Sequence, residues 1–121
     1  MAAKKRPLIL VGDGAFQMTG MEISHCPRLG ISPIVIVFNN ASWEMLRVIQ
    51  PEGSYFDLTP WPFAKLAELW GGKGYTASTR KEMLAALFQA YRQKAFAIID
   101  ARIPRGHTSQ VLRSYLTKIR E

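Results

Sequence analysis

Residues 7–40 decide the fold of this chain, and they read PLILVGDGAFQMTGMEISHCPRLGISPIVIVFNN. The stretch opens with an apolar run at 7–11 and closes with an apolar, β-branched run at 34–38. Short apolar runs bounded by turn residues are typical of buried strands. Thr19 stands three residues before Glu22, the spacing of a helix capping box. The stretch therefore predicts strand, helix, strand, with the two strands parallel and joined by a right-handed crossover.

The rest of the chain continues this alternation. The first helix is predicted from about Gly20 to Leu29, with Gly30 as its terminating glycine and Pro27 as an internal kink. A loop rich in Pro, Gly, Ser and Asp is predicted at 51–60. Further helices are predicted at 43–49, 62–70, 80–92 and 110–119, and further strands at 75–77 and 96–101. The pattern predicts an α/β domain, three-layer α/β/α, with a mostly parallel sheet.

Composition and length restrict the class of protein. The chain has 121 residues, of which 48% are hydrophobic and 21% charged, as in a single globular domain. Cys26 is the only cysteine, so no internal disulfide is expected, and a reducing cytoplasmic location is predicted. No apolar run approaches the roughly 18 residues that a membrane span needs. No secretion signal is expected from the basic start of the chain.

The net charge of +7 raises the alternative of a nucleic-acid partner. Eight of the 16 basic residues, however, lie toward the two ends: Lys4, Lys5, Arg6, Arg102, Arg105, Arg113, Lys118 and Arg120. Such terminal blocks are usually solvated tails, and no helix combines a basic face with aromatic stacking residues. We therefore expect neither a nucleic-acid nor a membrane partner.

Two polar side chains follow the two predicted strands of the opening stretch. Asp13 comes just after the first strand and Asn40 just after the second, 27 residues later. If these strands are neighbours, both side chains reach the same edge of the sheet, where α/β proteins bind ligands. A carboxylate and an amide oxygen are suitable ligands for Mg²⁺ or Ca²⁺. Gly12 and Gly14 leave the backbone open, so that backbone N–H groups there can bind a phosphate.

Each half of this pattern is weak alone, because Gly-Asp-Gly is a common turn and Asn-Asn often follows a strand. Their combination across strand, helix and strand is far more specific. A dinucleotide-binding loop is disfavoured because the G-x-G-x-x-G spacing is missing, and a P-loop is excluded because no G-K-[ST] follows.

Residues 12–46, GDGAFQMTGMEISHCPRLGISPIVIVFNNASWEML, resemble the thiamine diphosphate motif, which begins with GDG and ends with NN. VGDGAFQMTG at 11–20 and FNNASWEMLR at 38–47 are most similar to phenylpyruvate and indolepyruvate decarboxylases. IPRG at 103–106 resembles the end of the family's final strand. The resemblance covers nearly the whole chain after its first six residues, and it implies the thiamine diphosphate-binding fold.

The resemblance implies thiamine diphosphate and Mg²⁺ as cofactors. Asp13 would bind Mg²⁺ through its carboxylate, Asn40 through its side-chain oxygen and Ser42 through its backbone carbonyl. Gly14 and Ala15 would donate backbone N–H groups to the diphosphate. The implied cofactor-binding residues are Gly12, Asp13, Gly14, Ala15, Asn40, Ser42 and Met45. No catalytic residue is expected among the 121.

One position departs from the pattern of many pyruvate decarboxylases. These carry a catalytic glutamate six residues after the second asparagine, where this chain has Leu46. Glu44 is expected to point elsewhere on a helix, while Met45 is expected to line the cofactor or substrate pocket. An apolar residue at position 46 suits an aromatic 2-oxo acid such as phenylpyruvate or indolepyruvate. Trp43, like the other two tryptophans, is expected in the core or at an interface.

The resemblance also implies that 1–121 is a single, partial C-terminal cofactor-binding domain, incomplete at its amino-terminal side. The expected partners are a pyrimidine-binding domain or subunit, a small 2-oxo acid and further copies of the chain. The alternative is a non-catalytic remnant, or a diphosphate-binding or interaction module.

Overall fold

A computed structural model describes residues 5–50 and 53–120, and it contains a four-stranded, fully parallel sheet. Its strands are β1 (Leu8–Gly12), β2 (Ile34–Asn39), β3 (Lys73–Ala77) and β4 (Ala97–Arg102). They lie in the order β1, β2, β4, β3. The α-helices are α1 (Asp13–Thr19), α2 (Cys26–Leu29), α3 (Glu44–Ile49), α4 (Phe63–Leu69), α5 (Arg80–Arg92) and α6 (Gln110–Arg120). Two 3₁₀ segments span Gly20–His25 and Ser54–Phe56.

Apolar clusters on the two faces of the sheet confirm the predicted three-layer arrangement. One face packs against α1, α2 and α4 through a cluster of buried residues: Phe16, Cys26, Val35, Val37, Phe63, Ala67, Phe96 and Ile98. The opposite face packs against α5 through a second cluster: Ile34, Ile36, Ala77, Ala86, Ala90, Ala97, Ile99 and Ala101. Alternate residues of β2 and β4 feed the two clusters, as the two-residue period of a strand requires.

The first strand was expected to be buried, and this prediction is wrong. β1 is an edge strand with β2 as its neighbour, and Leu8, Ile9 and Leu10 are exposed. Only Val11 packs, partly buried, against the first cluster. An apolar run shows that a strand is suited to burial, but its neighbours decide whether it is buried.

The predicted start of the first helix at Gly20 is also wrong, whereas its end at Leu29 is confirmed. The chain becomes helical directly after β1, at Asp13, then tightens into 3₁₀ geometry and ends in α2, and Thr19 caps nothing with its side chain. The early start buries Phe16 edge-on against Phe63, with ring centroids 5.3 Å apart. Gly20 then crosses the Phe16 ring so closely that a Cβ there would lie 2.4 Å from it. Pro27 occupies the second position of α2, where its missing N–H is harmless.

The third strand begins two residues earlier than predicted, at Lys73 instead of Tyr75. A Cβ on Gly74 would lie 1.9 Å from the Ala64 carbonyl oxygen. Glycine at this position therefore lets β3 pass against the backbone of α4.

Other predicted helix ends are confirmed. The Thr79 hydroxyl accepts from the Glu82 N–H at 3.2 Å, and the Ser109 hydroxyl accepts from the Leu112 N–H at 3.1 Å. Gly30 ends α2 in the left-handed conformation, with φ of 64°. Pro62 precedes α4 by one residue, as its cap.

Arg6 was expected in a solvated basic tail, and this prediction is wrong. Its guanidinium donates to the backbone carbonyls of Ser32 and Ala90, each at 2.5 Å, and of Gln93 at 2.8 Å and Ala95 at 2.5 Å. Burial lowers the pKa of Arg6 because desolvation disfavours the charged form. Arg6 thus ties the carbonyls at the end of α5 to the loop before β2.

Two earlier expectations fall partly outside the described residues, namely the basic residue Lys4 and the start of the 51–60 loop at Pro51 and Glu52. Across residues 5–50 and 53–120, no helix is both long and apolar enough to span a bilayer.

We expect Arg6→Ala to lower the free energy of unfolding by about 2–3 kcal/mol, because several buried carbonyls lose a charged donor. Thermal and urea unfolding measure this. Arg92→Ala is the matched control, since Arg92 is an exposed arginine that lies 5.3 Å over the Phe88 ring. Equal stability of the two variants would contradict the role assigned to Arg6.

Candidate functional site

Asp13 is the first residue of α1 and stands where β1 ends. Its side chain is 3% exposed, and its Oδ1 accepts from the Gly14 N–H at 2.9 Å. Its Oδ2 is inaccessible to solvent, and no described residue donates a hydrogen bond to it. A buried carboxylate oxygen without a donor is costly, so its retention points to a partner outside the protein chain.

The loop after β2 lies beside Asp13 because β1 and β2 are direct parallel neighbours, with Gly12 paired to Phe38. Asn40 directly follows the strand, and its Oδ1 accepts from the Ser42 N–H at 3.1 Å. An amide oxygen has two lone pairs, so this bond leaves capacity for a second partner. Ser42 itself is 4% exposed.

These elements border a cavity of about 380 Å³. All seven residues predicted to bind the cofactor line it: Gly12, Asp13, Gly14, Ala15, Asn40, Ser42 and Met45. The structure therefore brings together residues from both ends of the opening stretch. The Gly14 N–H, predicted to donate to a diphosphate, donates here to its neighbour Asp13.

The cavity wall contains residues whose positions were predicted incorrectly. Glu44 lines the cavity together with Leu46, although it was expected to point elsewhere. The cavity borders the first turn of α3, which begins at Glu44, so successive residues of that turn line it. The Glu44 Oε2 is inaccessible to solvent, has no hydrogen-bond partner among the described residues, and lies 3.8 Å from the Arg47 Nε.

Trp43 also lines the cavity, although it was expected in the core or at an interface. Its ring lies so close to Gly14 that a Cβ there would be 2.7 Å from the Trp43 Cε3. The other two tryptophans, Trp61 and Trp70, do pack against the first apolar cluster. The sequence alone does not show that Gly14 makes room for the Trp43 ring, because the two residues are 29 positions apart.

The remaining candidates for chemistry lie elsewhere. Cys26 belongs to the first apolar cluster, and burial raises the pKa of its thiol. His25 is exposed and lies 3.7 Å from Glu22. Among the described residues, no three His, Cys, Asp or Glu side chains converge on a common point. A metal at the cavity would thus depend on phosphate or water for much of its coordination.

Comparison with known proteins identifies the class. The family described as thiamine pyrophosphate enzyme, C-terminal TPP binding domain, matches residues 1–101. The chain belongs to this family, which confirms the resemblance seen in residues 12–46. Thiamine pyrophosphate is another name for thiamine diphosphate, so the expected organic cofactor is confirmed at the level of the family.

Two curated relatives are decarboxylases of 2-oxo acids. The chain is 54% identical to the indole-3-pyruvate decarboxylase of Azospirillum brasilense over 93% of its own length. It is 30% identical to the alpha-keto-acid decarboxylase of Mycobacterium tuberculosis over 89% of its length. It spans 21% and 20% of these two relatives, about a fifth of each.

Solved structures confirm the fold. The thiamine diphosphate-dependent 4-hydroxybenzoylformate decarboxylase of Rhodococcus jostii RHA1 superposes with a TM-score of 0.80 at 21% identity, over 88% of this chain and 21% of that one. The benzoylformate decarboxylase of Polynucleobacter necessarius gives 0.77 at 24% identity, over 85% of this chain and 20% of that one. The chain is thus a cofactor-binding domain of the type found in 2-oxo acid decarboxylases.

We expect Gly14→Ala to displace the Trp43 ring from the cavity wall and to destabilise the fold by about 1–3 kcal/mol. Near-ultraviolet circular dichroism reports the ring, and urea unfolding reports the stability. Gly12→Ala is the matched control, because a Cβ there meets nothing within 4 Å and its φ of −75° suits alanine. Identical spectra for wild type and Gly14→Ala would refute this packing role.

Proposed function

We propose that this chain holds the diphosphate of thiamine diphosphate through Mg²⁺ bound by Asp13, Asn40 and Ser42, as part of a 2-oxo acid decarboxylase. The observation that carries the proposal is Asp13, which lines the cavity and whose buried Oδ2 has no donor among the described residues. The Asn40 side chain and Ser42 border the same cavity.

The donor set suits Mg²⁺ on chemical grounds. Mg²⁺ prefers oxygen ligands and dehydrates reluctantly, so it is commonly held by one or two carboxylates together with phosphate oxygens and water. One carboxylate, one amide oxygen and one backbone carbonyl match this pattern. The positive charge of the cation would in turn compensate the negative charge of the buried, unpaired carboxylate.

The glycine-containing turn supports the placement of the diphosphate. Gly12 leaves open space where a side chain would begin, and Ala15 follows at the start of α1. Backbone N–H groups of Gly14 and Ala15 are therefore available to an anion that approaches the bound cation. The Gly14 N–H donates to the Asp13 Oδ1 in this structure, so it would bind the diphosphate only after release from that carboxylate.

Bound thiamine diphosphate supplies the electron sink that decarboxylation of a 2-oxo acid requires. The residues of this chain anchor it and shape one wall of the site. We propose that a pyrimidine-binding domain or subunit supplies the other wall and the groups that activate the cofactor. Residues 1–121 are then a single, partial domain of a cytoplasmic enzyme.

We propose an aromatic 2-oxo acid of the phenylpyruvate or indolepyruvate type as the substrate. Met45 and Leu46 give the cavity an apolar wall at the position where a glutamate stands in many pyruvate decarboxylases. Apolar surface favours an aromatic side chain over the methyl group of pyruvate. The 54% identity to an indole-3-pyruvate decarboxylase supports the same choice.

The alternative is a remnant or a diphosphate-binding module that takes no part in catalysis. The neighbouring reading frame separates the two, because a frame that encodes a pyrimidine-binding domain supports the decarboxylase.

We expect Asp13→Asn to weaken Mg²⁺-dependent binding of thiamine diphosphate at least about tenfold, because a charged metal ligand is lost. Isothermal titration calorimetry with and without Mg²⁺ measures the effect. In metal-free buffer the variant should unfold within about 1 kcal/mol of wild type, since the buried carboxylate lacks a second partner there.

Glu22→Gln serves as the control, because it removes one negative charge from an exposed ion pair outside the cavity. Equal titrations for wild type and Asp13→Asn would refute the assignment of the metal site. Binding that is equally strong without Mg²⁺ would refute the need for a cation.

We also propose that copies of the chain associate through an open apolar face. Leu8 and Leu10 pair with Ile34 and Ile36, so they point to the α5 side of the sheet, where both are exposed. Phe38 continues this face and is also exposed. Exposed edge strands and contiguous apolar surface favour pairing with another copy.

We expect the wild-type chain to be oligomeric in light scattering and Leu10→Lys to shift it toward monomer, because a charge on the open face opposes its burial. Leu69→Lys is the control, since Leu69 is 79% exposed on α4, at the other side of the sheet. A monomeric wild type at high concentration would contradict association.

A further inference from the structure

We propose that Asp57 is a positioning residue for the metal site, through an ion-pair clamp with Arg47 and Arg105. The clamp acts on the loop of residues 39–43, which carries Asn40 and Ser42. This inference rests on the proposed Mg²⁺·diphosphate function. It adds Arg47, Asp57 and Arg105, which lie outside the motif that begins with GDG and ends with NN.

The loop needs external support because its conformation is strained. Ala41 adopts φ of 52°, and it is the only non-glycine residue with positive φ in the described part of the chain. The Asn39 Oδ1 accepts from the Ala41 N–H at 3.2 Å, and the Asn40 Oδ1 accepts from the Ser42 N–H. Such local bonds favour turns, but they do not by themselves fix where the loop stands relative to Asp13.

The inner side of the loop is tied to the sheet. The Asn39 Nδ2 donates to the Asp100 Oδ1 at 2.8 Å, and Asp100 on β4 is 2% exposed. The Arg102 Nε donates to the other Asp100 oxygen at 3.4 Å. Asn39 thus anchors the loop to a buried carboxylate, while its neighbour Asn40 faces the cavity.

The outer side of the loop is tied to residues 56–58. Ser42 and Asp57 form an isolated antiparallel bridge. The Trp43 N–H donates to the Phe56 carbonyl, and the Leu58 N–H donates to the Ala41 carbonyl, both at 2.9 Å. Backbone bonds therefore flank Ser42, whose carbonyl is the proposed metal ligand.

Three charged side chains hold this outer segment in place. The Asp57 Oδ1 accepts from the Arg47 Nη2 and lies 3.0 Å from the Arg105 Nη1. The Arg47 Nε also donates to the Ser42 hydroxyl at 3.3 Å, and the Arg105 Nη2 donates to the Ala41 carbonyl at 2.8 Å. Both arginines thus contact the loop directly while Asp57 holds them together.

The partial exposure of the clamp decides what it contributes. Asp57 and Arg105 are 47% and 45% exposed, and ion pairs this open to water add little to the stability of a fold. Their effect is on the position of the loop. Arg105 also lies in the IPRG segment, so the clamp links the chain after β4 to the metal site.

The test is the Mg²⁺ affinity of Asp57→Asn, titrated calorimetrically at saturating thiamine diphosphate. We expect affinity about tenfold weaker than wild type, with the melting temperature within a few degrees, because the pairs couple to the loop and not to the core. Asp57→Glu restores the carboxylate and should recover most of the affinity. Glu22→Gln, with the same charge change, should bind as wild type does.

Amide hydrogen exchange at Trp43 gives a readout that needs no metal. We expect exchange about tenfold faster in Asp57→Asn than in wild type or Glu22→Gln, because the Trp43 bond to Phe56 opens more often. Unchanged exchange would overturn the clamp. Faster exchange with unchanged Mg²⁺ affinity would overturn its role at the metal site. A wild type that binds no Mg²⁺·thiamine diphosphate would overturn the proposed function instead.

Discussion

The parallel pairing of β1 with β2 is the constraint on which the site depends. The pairing sets Gly12 beside Phe38, so that Asp13 and Asn40, each just past a strand end, emerge at the same edge. A slip of one residue would turn every side chain of β1 to the other face and separate these two groups. Val11 resists such a slip on one face, because it packs against the first cluster while its neighbours point away. The position of the proposed metal site is therefore a consequence of strand register.

That edge of the sheet holds groups that suit the proposed binding site but lower the stability of the fold. Asp13 presents a buried oxygen without a donor, and Ala41 stands in a conformation that alanine disfavours. Both are tolerated because most residues of the underlying strands β2 and β4 are buried. The rigid part of the sheet thus supports a strained loop, and ties at Asn39 and Asp57 keep that loop in place.

The cavity is defined as much by residues outside the GDG and NN motifs as by those inside them. Trp43 fills the space left by Gly14, and Leu46 and Met45 provide apolar wall beside the proposed diphosphate site. The same wall carries Glu44, a carboxylate whose Oε2 is withdrawn from solvent toward Arg47. The proposed ligands Asn40 and Ser42 and the apolar wall of the proposed substrate site therefore lie on a single loop and the helix that follows it.

The sequence alone determined the alternation of strands and helices, the helix caps at Thr79 and Ser109, and the family. The alternation and the caps depend on the spacing of residues that are close in the chain. The family depends on a motif whose residues directly follow two strands. It did not determine that β1 is an exposed edge strand, that α1 begins at Asp13, or that Arg6 binds the end of α5, because each depends on neighbours distant in the chain. The seven predicted cofactor residues were chosen by motif, and only the tertiary structure decided that they border one cavity with Trp43 and Glu44. The physical reason is that a motif specifies residue types at strand ends, whereas strand order, register and the packing of side chains specify which of those ends meet.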